Sequence, residues 1–251
     1  MKKLFTYLSV LLVLASFVAC HKREKPVNGT VLGVITTNLD ANESVVRRKE
    51  CLIGNLLCDA VFKTIADRGN QIDGAVLNGG DIRFDVVNRP NGIYPAGPFT
   101  DNMADEMLPF GDNSVIVKVN GKQLKEIFER SVAQYSQLKG PFLQVSSNFK
   151  VTIDTTKAAQ ILNAQSTAIF SSGQRIISIA LNGTMIDSTT TTYSIVVPTF
   201  IALGNDGYVT LLNIAPALKL TIADIQANAL KEELLVEHTI TPVLQNRIVF
   251  Q

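Results

Sequence analysis

The segment VLNGGDIR, residues 76–83, places an amide, two glycines, a carboxylate and a guanidinium at the end of a short apolar run. Gly79 and Gly80 allow backbone conformations and close approaches that a Cβ forbids. Asn78 can both donate and accept hydrogen bonds, and the planar fork of Arg83 suits a phosphate. These are the residue types of a ligand mouth, and equally of a plain turn carrying a surface arginine. Neither the lysine nor the spacing of a P-loop or dinucleotide fingerprint is present.

Three other places are richer in chemistry than folding requires. In VVRRKE, the cations Arg47, Arg48 and Lys49 stand just before a helical pattern, where they oppose the helix dipole. An anion at that helix start would relieve the conflict, while a solvated basic turn is the alternative. LPFGDN and FIALGNDGY each join an aromatic to a turn. Phe110 and Phe200 are ordinary core residues or, facing one another, a clamp for a flat heterocycle. Asp206, in a glycine-rich turn, can accept two sugar hydroxyls.

The elements that must hold these residues are legible in the surrounding pattern. Apolar residues at 52, 53, 56, 57, 60, 61 and 65 predict a helix that Gly69 stops. DGAVLN reads as a strand ending at the glycines, and residues 85–99 as a surface loop. Thr100 or Asp101 caps a short helix over FTDNMADEM. SVIVKVNG is a strand leading into the amphipathic helix KQLKEIFERSVAQY. FLQVSSNFKVTID and RIISIALNGTMID read as strands, with Asn182-Gly183 a hairpin turn. TTTYSIVVPTFIALGNDGYVTL begins as a strand and ends in a turn. TIADIQANALKEELLVEH predicts a third main helix with Thr221 as its N-cap and Asp224 at its third position. Helices and strands without strict alternation predict an α+β domain around a mixed β-sheet flanked by helices.

The chain of 251 residues, 46% hydrophobic, is large enough for one buried core. A net charge of +1 argues against a nucleic-acid binder. Residues 1–19 read as an export signal: Lys2 and Lys3, an apolar run from Leu4 to Val18, then Ala19. FVAC resembles a lipobox, which makes Cys20 the expected lipidation site and residues 20–29 a polar tether ahead of a domain spanning 30–251. The expected location is periplasmic or cell-surface, anchored by lipid to a membrane. Cys51 and Cys58, two helical turns apart, are about 10 Å from one another, too far for a disulfide, and read as buried apolar residues. His21 and His238 are the only histidines, and neither sits near a cysteine of the helix.

ECLIGNLLCDA, VLNGGDIR, MLPFGDN, VIVKVNGKQLKEIFERSVAQY, GPFLQVSSNFKV, PTFIALGNDGY and the closing NRIVFQ together resemble the C-terminal domain of the 5′-nucleotidase family, over residues 30–251. That domain is the substrate-binding half of a two-domain enzyme whose other half is a dimetal phosphatase. The resemblance implies that Phe110 and Phe200 sandwich the nucleobase, with Asn78 at its edge. It implies that Asp206 holds the ribose hydroxyls, that Arg47 and Arg83 hold the phosphate, and that Gly80 gives backbone access beside them. Three departures stand out: Asp81 replaces the third glycine of the family's Asn-Gly-Gly-Gly-Ile-Arg, the usual Gly-Gly-Asp-Gly reads Gly204-Asn205-Asp206-Gly207, and Leu52-Ile53 replaces an Asn-Met or Asn-Leu pair.

A dimetal phosphatase needs several metal ligands to activate water, so this chain is expected to bind no cofactor of its own. The divalent metal pair is expected on a separate metallophosphatase subunit, with a nucleotide or nucleoside as the small-molecule partner and no nucleic acid. The alternatives are a non-catalytic nucleotide- or nucleoside-binding lipoprotein and a surface protein that keeps the fold with a decayed pocket.

Overall fold

A five-stranded mixed sheet forms the middle of the structure, a computed structural model that describes residues 29–187 and 190–251. The expected export signal, Cys20 and all of the tether but Gly29 lie outside the described residues. In order across the sheet run Lys219–Ile225, Asn113–Asn120, Thr192–Pro198, Gly74–Asn78 and Leu143–Val145. The Thr192–Pro198 and Gly74–Asn78 strands are parallel, and the other neighbours are antiparallel.

The sheet is covered on both faces, and the alternation of its residues shows how. Ala75 and Leu77 enter one apolar cluster together with Ile116 and Val196. Val76 enters the other, with Val115, Val117, Ile195 and Val197. A period of two along each strand therefore feeds two cores. The first core packs against the Leu52–Asp67 helix, through Ile53, Leu56, Leu57, Val61 and Ile65, and against the Gln226–Glu237 helix. The second packs against the Gly121–Ala133 helix and a four-stranded sheet of Thr184–Met185, Ile176–Leu181, Phe149–Ile153 and Ile248–Phe250. Phe128 and Phe149 join these in an edge-on contact, ring centres 5.4 Å apart. A three-stranded sheet of Thr239–Ile240, Val31–Ile35 and Gly97–Thr100 completes the α+β arrangement.

Local signals account for most boundaries. The Thr100 hydroxyl accepts the Met103 N–H at 3.4 Å, so Thr100 rather than Asp101 caps the Asp101–Met107 helix. Asn120 and Gln123 form a reciprocal capping box at the start of the Gly121–Ala133 helix. Asn182 and Gly183 both take positive φ, 50° and 78°, as the tight hairpin demands. Cys51 and Cys58 are free and buried, the packing role expected of them.

Two expectations are corrected. Thr221 does not cap a helix: Lys219–Ile225 is an edge strand paired with Asn113–Asn120, and the helix starts at Gln226. The β-branched Thr221 and Ile222 suit the open edge of that sheet. Asp224 instead accepts from Arg68 at 2.7 Å and from Asn228 at 2.6 Å. The second correction concerns Arg47, which follows an unforeseen one-turn helix, Glu43–Val46, as its C-cap. A cation there complements the helix end rather than opposing it.

Candidate functional site

The parallel pairing of Gly74–Asn78 with Thr192–Pro198 brings the ends of both strands out on one edge of the sheet. Pro198 in turn pairs with Ser114, so the start of the Asn113–Asn120 strand meets the same edge. The segments that lead away from these ends, residues 79–83, 199–206 and 110–112, therefore become neighbours although they are far apart in sequence. They enclose a cleft of about 550 Å³ lined by Arg47, Asn78, Gly80, Asp81, Arg83, Phe110, Asp112, Gly140, Phe200 and Asp206. Every ligand-contacting residue expected from the sequence shares this one cavity.

The glycines are there because backbones meet. Gly79 donates to the Phe142 carbonyl at 2.6 Å and Gly80 to the Gly140 carbonyl at 3.0 Å. A Cβ on Gly80 would stand 2.9 Å from the Gly140 Cα, and one on Gly140 2.8 Å from Asp206 Oδ2. A side chain at Gly80 would push the two loops apart, and one at Gly140 would displace the Asp206 carboxylate.

Of the two aromatics, Phe110 is 59% exposed, an unusual position for a phenylalanine, while Phe200 packs partly on the second core. The Arg83 guanidinium lies over the Phe110 ring, 5.3 Å from its centre. The Phe200 N–H donates to Asp112 Oδ1 at 2.9 Å, and Asn205 Nδ2 donates to the Phe200 carbonyl at 2.9 Å. Those bonds fix the backbone from which the ring projects. Asp206 adopts φ 57°, and its carbonyl accepts from Arg130 Nε at 2.7 Å. The side chain is thus presented by a left-handed turn that a partly buried arginine holds.

Neither phosphate-type arginine is free. Glu43 Oε1 lies 2.6 Å from Arg47 Nη2 and 3.6 Å from Arg83 Nη1. Arg47 also donates to the Leu138 carbonyl at 3.1 Å, and burial lowers its pKa while Glu43 raises it. Asn78 is fully buried and its Nδ2 donates to Asp81 Oδ1 at 3.0 Å. Asn78 Oδ1 and Asp81 Oδ2 are left as buried acceptors without a partner. Burial, with Asp112 and Asp206 nearby, pushes the Asp81 carboxyl up to about 7, against the pull of Asn78 and Arg83. Burial also raises Asp112 and Asp206 above the usual carboxylate range; Arg130, Arg47 and Arg83 oppose the shift of Asp206. Asp81, Asp112 and Asp206 line the cleft together with Arg47 and Arg83, and Glu43 pairs with both arginines.

Sequence reasoning did not assign Glu43, Asp112, Arg130 or Gly140 to the site. Asp112 was visible in LPFGDN, and GPFLQV begins at Gly140; Glu43 and Arg130 carry no motif. Among the described residues, no group of three or more His, Cys, Asp and Glu could hold a metal ion. No described helix is long and apolar enough to cross a membrane.

Comparison with known proteins gives this geometry a context. The family described as 5′-nucleotidase, C-terminal domain, matches residues 31–213. Human 5′-nucleotidase is 28% identical over 231 residues, covering 87% of this chain and 37% of the human protein. Snake venom 5′-nucleotidase of Macrovipera lebetinus is 30% identical over 189 residues, covering 70% of this chain and 42% of the venom protein. The crystal structure of a 5′-nucleotidase precursor from Thermus thermophilus superposes with a TM-score of 0.73 at 26% identity, over 98% of this chain and 43% of that one. The NAD nucleotidase of Haemophilus influenzae shares the fold, with a TM-score of 0.69 at 18% identity, over 88% of this chain and 38% of that one. The chain thus spans about two fifths of the length of these relatives.

Proposed function

Because the chain belongs to the 5′-nucleotidase C-terminal domain family, we propose that it is the substrate-recognition part of a 5′-nucleotidase-type hydrolase, exported and held at a membrane through Cys20. The cleft binds a nucleotide in three portions. Phe110 and Phe200 hold the base between them, and Asn78 Oδ1 accepts from its edge. The ribose hydroxyls donate to Asp206. Arg47 and Arg83 hold the phosphate, and Gly80 keeps the floor low enough for the ligand to lie against the backbone.

The observation that carries this reading is the convergence of Arg47, Asn78, Gly80, Arg83, Phe110, Phe200 and Asp206 on one cavity of nucleotide size. The described residues do not fit the dimetal centre that phosphoester hydrolysis by this family implies. In this reading bond cleavage belongs to a separate metallophosphatase subunit, and this chain binds and orients the substrate. Calorimetry with AMP, adenosine and a UDP-sugar tests the binding step; no heat from any of them would defeat it. Turnover of AMP by the purified chain with Mn²⁺ or Co²⁺ alone would defeat the division of labour. Co-purification from the native membrane should recover the metal-bearing subunit.

A second reading, a binding lipoprotein for nucleosides or nucleotides, is favoured by one observation: Glu43 already engages both arginines. In that case no phosphatase co-purifies with the chain.

A further inference from the structure

The turn after the Gly74–Asn78 strand carries a carboxylate where the cleft is expected to meet an anion. Asp81 is 6% exposed, lines the cleft beside Arg83 and Phe110, and has one oxygen, Oδ2, with no partner. Its other oxygen is held by Asn78 Nδ2 at 3.0 Å, which fixes the group in place. A buried carboxylate with an unsatisfied oxygen is costly when ionised, and its field acts across the cavity with little screening. The charges acting on it are those of Arg83 on its own turn, Asp112 ahead of the Asn113–Asn120 strand, and Asp206 with Tyr208 on the turn after Phe200; Arg47 lines the same cleft, Glu43 pairs with Arg47, and Arg130 on the Gly121–Ala133 helix holds the Asp206 carbonyl. Both cleft-lining arginines among them are shared with Glu43. The cations that would offset Asp81 are thus already partly neutralised.

We propose that Asp81 is a specificity-determining residue that sets the charge of the ligand: ionised, it makes the cleft prefer a neutral nucleoside to its phosphorylated form, and neutralising it by a proton or by substitution shifts the preference toward the phosphorylated form. The inference rests on the nucleotide-type reading of the cleft and adds a rank order within it. The Asp81 carboxyl is pushed up to about 7, so the switch between the two preferences falls near neutral pH. Linkage makes the effect reciprocal: an anionic ligand must raise the proton affinity of Asp81 by the factor that the proton raises affinity for the ligand.

The test is calorimetric binding of adenosine and AMP to the wild-type protein and to Asp81→Asn, at about pH 8.5 and about pH 5.5, on either side of the Asp81 transition. The second ionisation of AMP, near a pKa of about 6, still leaves at least one negative charge on the phosphate at both pH values, so the ligand stays anionic throughout the comparison. At the higher pH, Asp81→Asn should lower the ratio of the AMP to the adenosine Kd about tenfold, which is one pKa unit of coupling. At the lower pH the two proteins should agree within about twofold. Asp81→Gly, checked for folding by thermal melting, should behave as Asp81→Asn does. Carboxyl-carbon NMR provides the reciprocal measurement: AMP should raise the Asp81 midpoint, and adenosine should leave it in place. Equal ratios at the higher pH, or a gap undiminished at the lower, would overturn the assignment of Asp81 while leaving nucleoside binding intact. If wild-type protein binds neither ligand, the reading of the cleft itself fails, and this inference with it.

Discussion

The Arg83 guanidinium covers one face of the Phe110 ring, its central carbon 5.3 Å from the ring centre. The arm expected to meet a phosphate and the arm expected to meet a base are therefore in contact before any ligand arrives. A stacked base must share or displace that guanidinium, so the two arms cannot act independently.

This contact separates two substitutions. Phe110→Ala removes the stacking surface and should weaken adenosine and AMP alike, by about 1 kcal/mol or more. Phe200→Ala should do the same from the other wall. Arg83→Ala frees a ring face worth about 0.5–1 kcal/mol of cation–π contact, so adenosine should bind as well as before or slightly better while AMP weakens. Titrations of both ligands against the three variants check this. Equal losses for AMP and adenosine with Arg83→Ala would falsify the phosphate role.

Glu43 restrains both arginines, at 2.6 Å from Arg47 and 3.6 Å from Arg83. Its side chain is about half exposed, 53%, so its loss should change stability by no more than about 1 kcal/mol. Glu43→Gln should nevertheless tighten AMP severalfold, because the guanidiniums no longer share a carboxylate, and should steepen the salt dependence of AMP binding. Adenosine should be indifferent. An AMP affinity that falls would mean that Glu43 orients the arginines rather than restrains them.

The pH dependence of stability follows from Asp81. Its carboxyl holds a proton more tightly in the fold, at about 7, than its ordinary value of 3.8. Between those values the native state carries the extra proton, so the free energy of unfolding falls as pH rises, and the loss is complete above the folded value. Asp81→Asn removes the group that must ionise. Urea unfolding should find the variant more stable than wild type by roughly 1–3 kcal/mol above about pH 8, and no more stable near about pH 4. Asp112, Asp206 and Glu129 are raised in the same direction, so a smaller slope should survive in the variant. A constant difference at all pH values would show that Asp81 acts through packing instead.

The cleft-lining residues were legible because each occupies a short local pattern: a strand running into glycines at Asn78, an aromatic beside a turn at Phe110, a polar turn at Asp206. The parts that sequence could not supply are long-range or context-dependent. Arg130 holds the Asp206 carbonyl across 76 positions, and nothing near Arg130 marks it. Residues 219–225 have an apolar spacing compatible with a helix, yet the free edge of the Asn113–Asn120 strand claims them. The sense of Arg47 reversed because a single unforeseen turn of helix, Glu43–Val46, lies before it. A four-residue helix is too short to leave a periodic trace.

Arg247, which does not line the cleft, joins separate elements at once. Only 3% of its side chain is exposed. Nη1 donates to Asp59 Oδ1 and to the Val145 carbonyl, each at 2.9 Å, and Nη2 donates to Asp59 Oδ2 at 2.5 Å and to Gln245 at 2.6 Å. Its backbone N–H donates to Glu50 at 2.8 Å. The closing strand is thereby tied to the Leu52–Asp67 helix and to the edge strand of the central sheet. Arg247→Ala leaves the Val145 carbonyl buried without its partner and Asp59 without its cation. Breaking a buried pair in this way costs about 3–5 kcal/mol, and the partial exposure of Asp59, 39%, lets water recover some of that. A loss near about 3 kcal/mol is therefore expected. Arg247→Met keeps the apolar stem and should lose less. Neither change touches a cleft residue, so AMP affinity measured well below the melting temperature should be that of wild type. Wild-type melting by both variants would show that the packed strand, not the guanidinium, closes the fold.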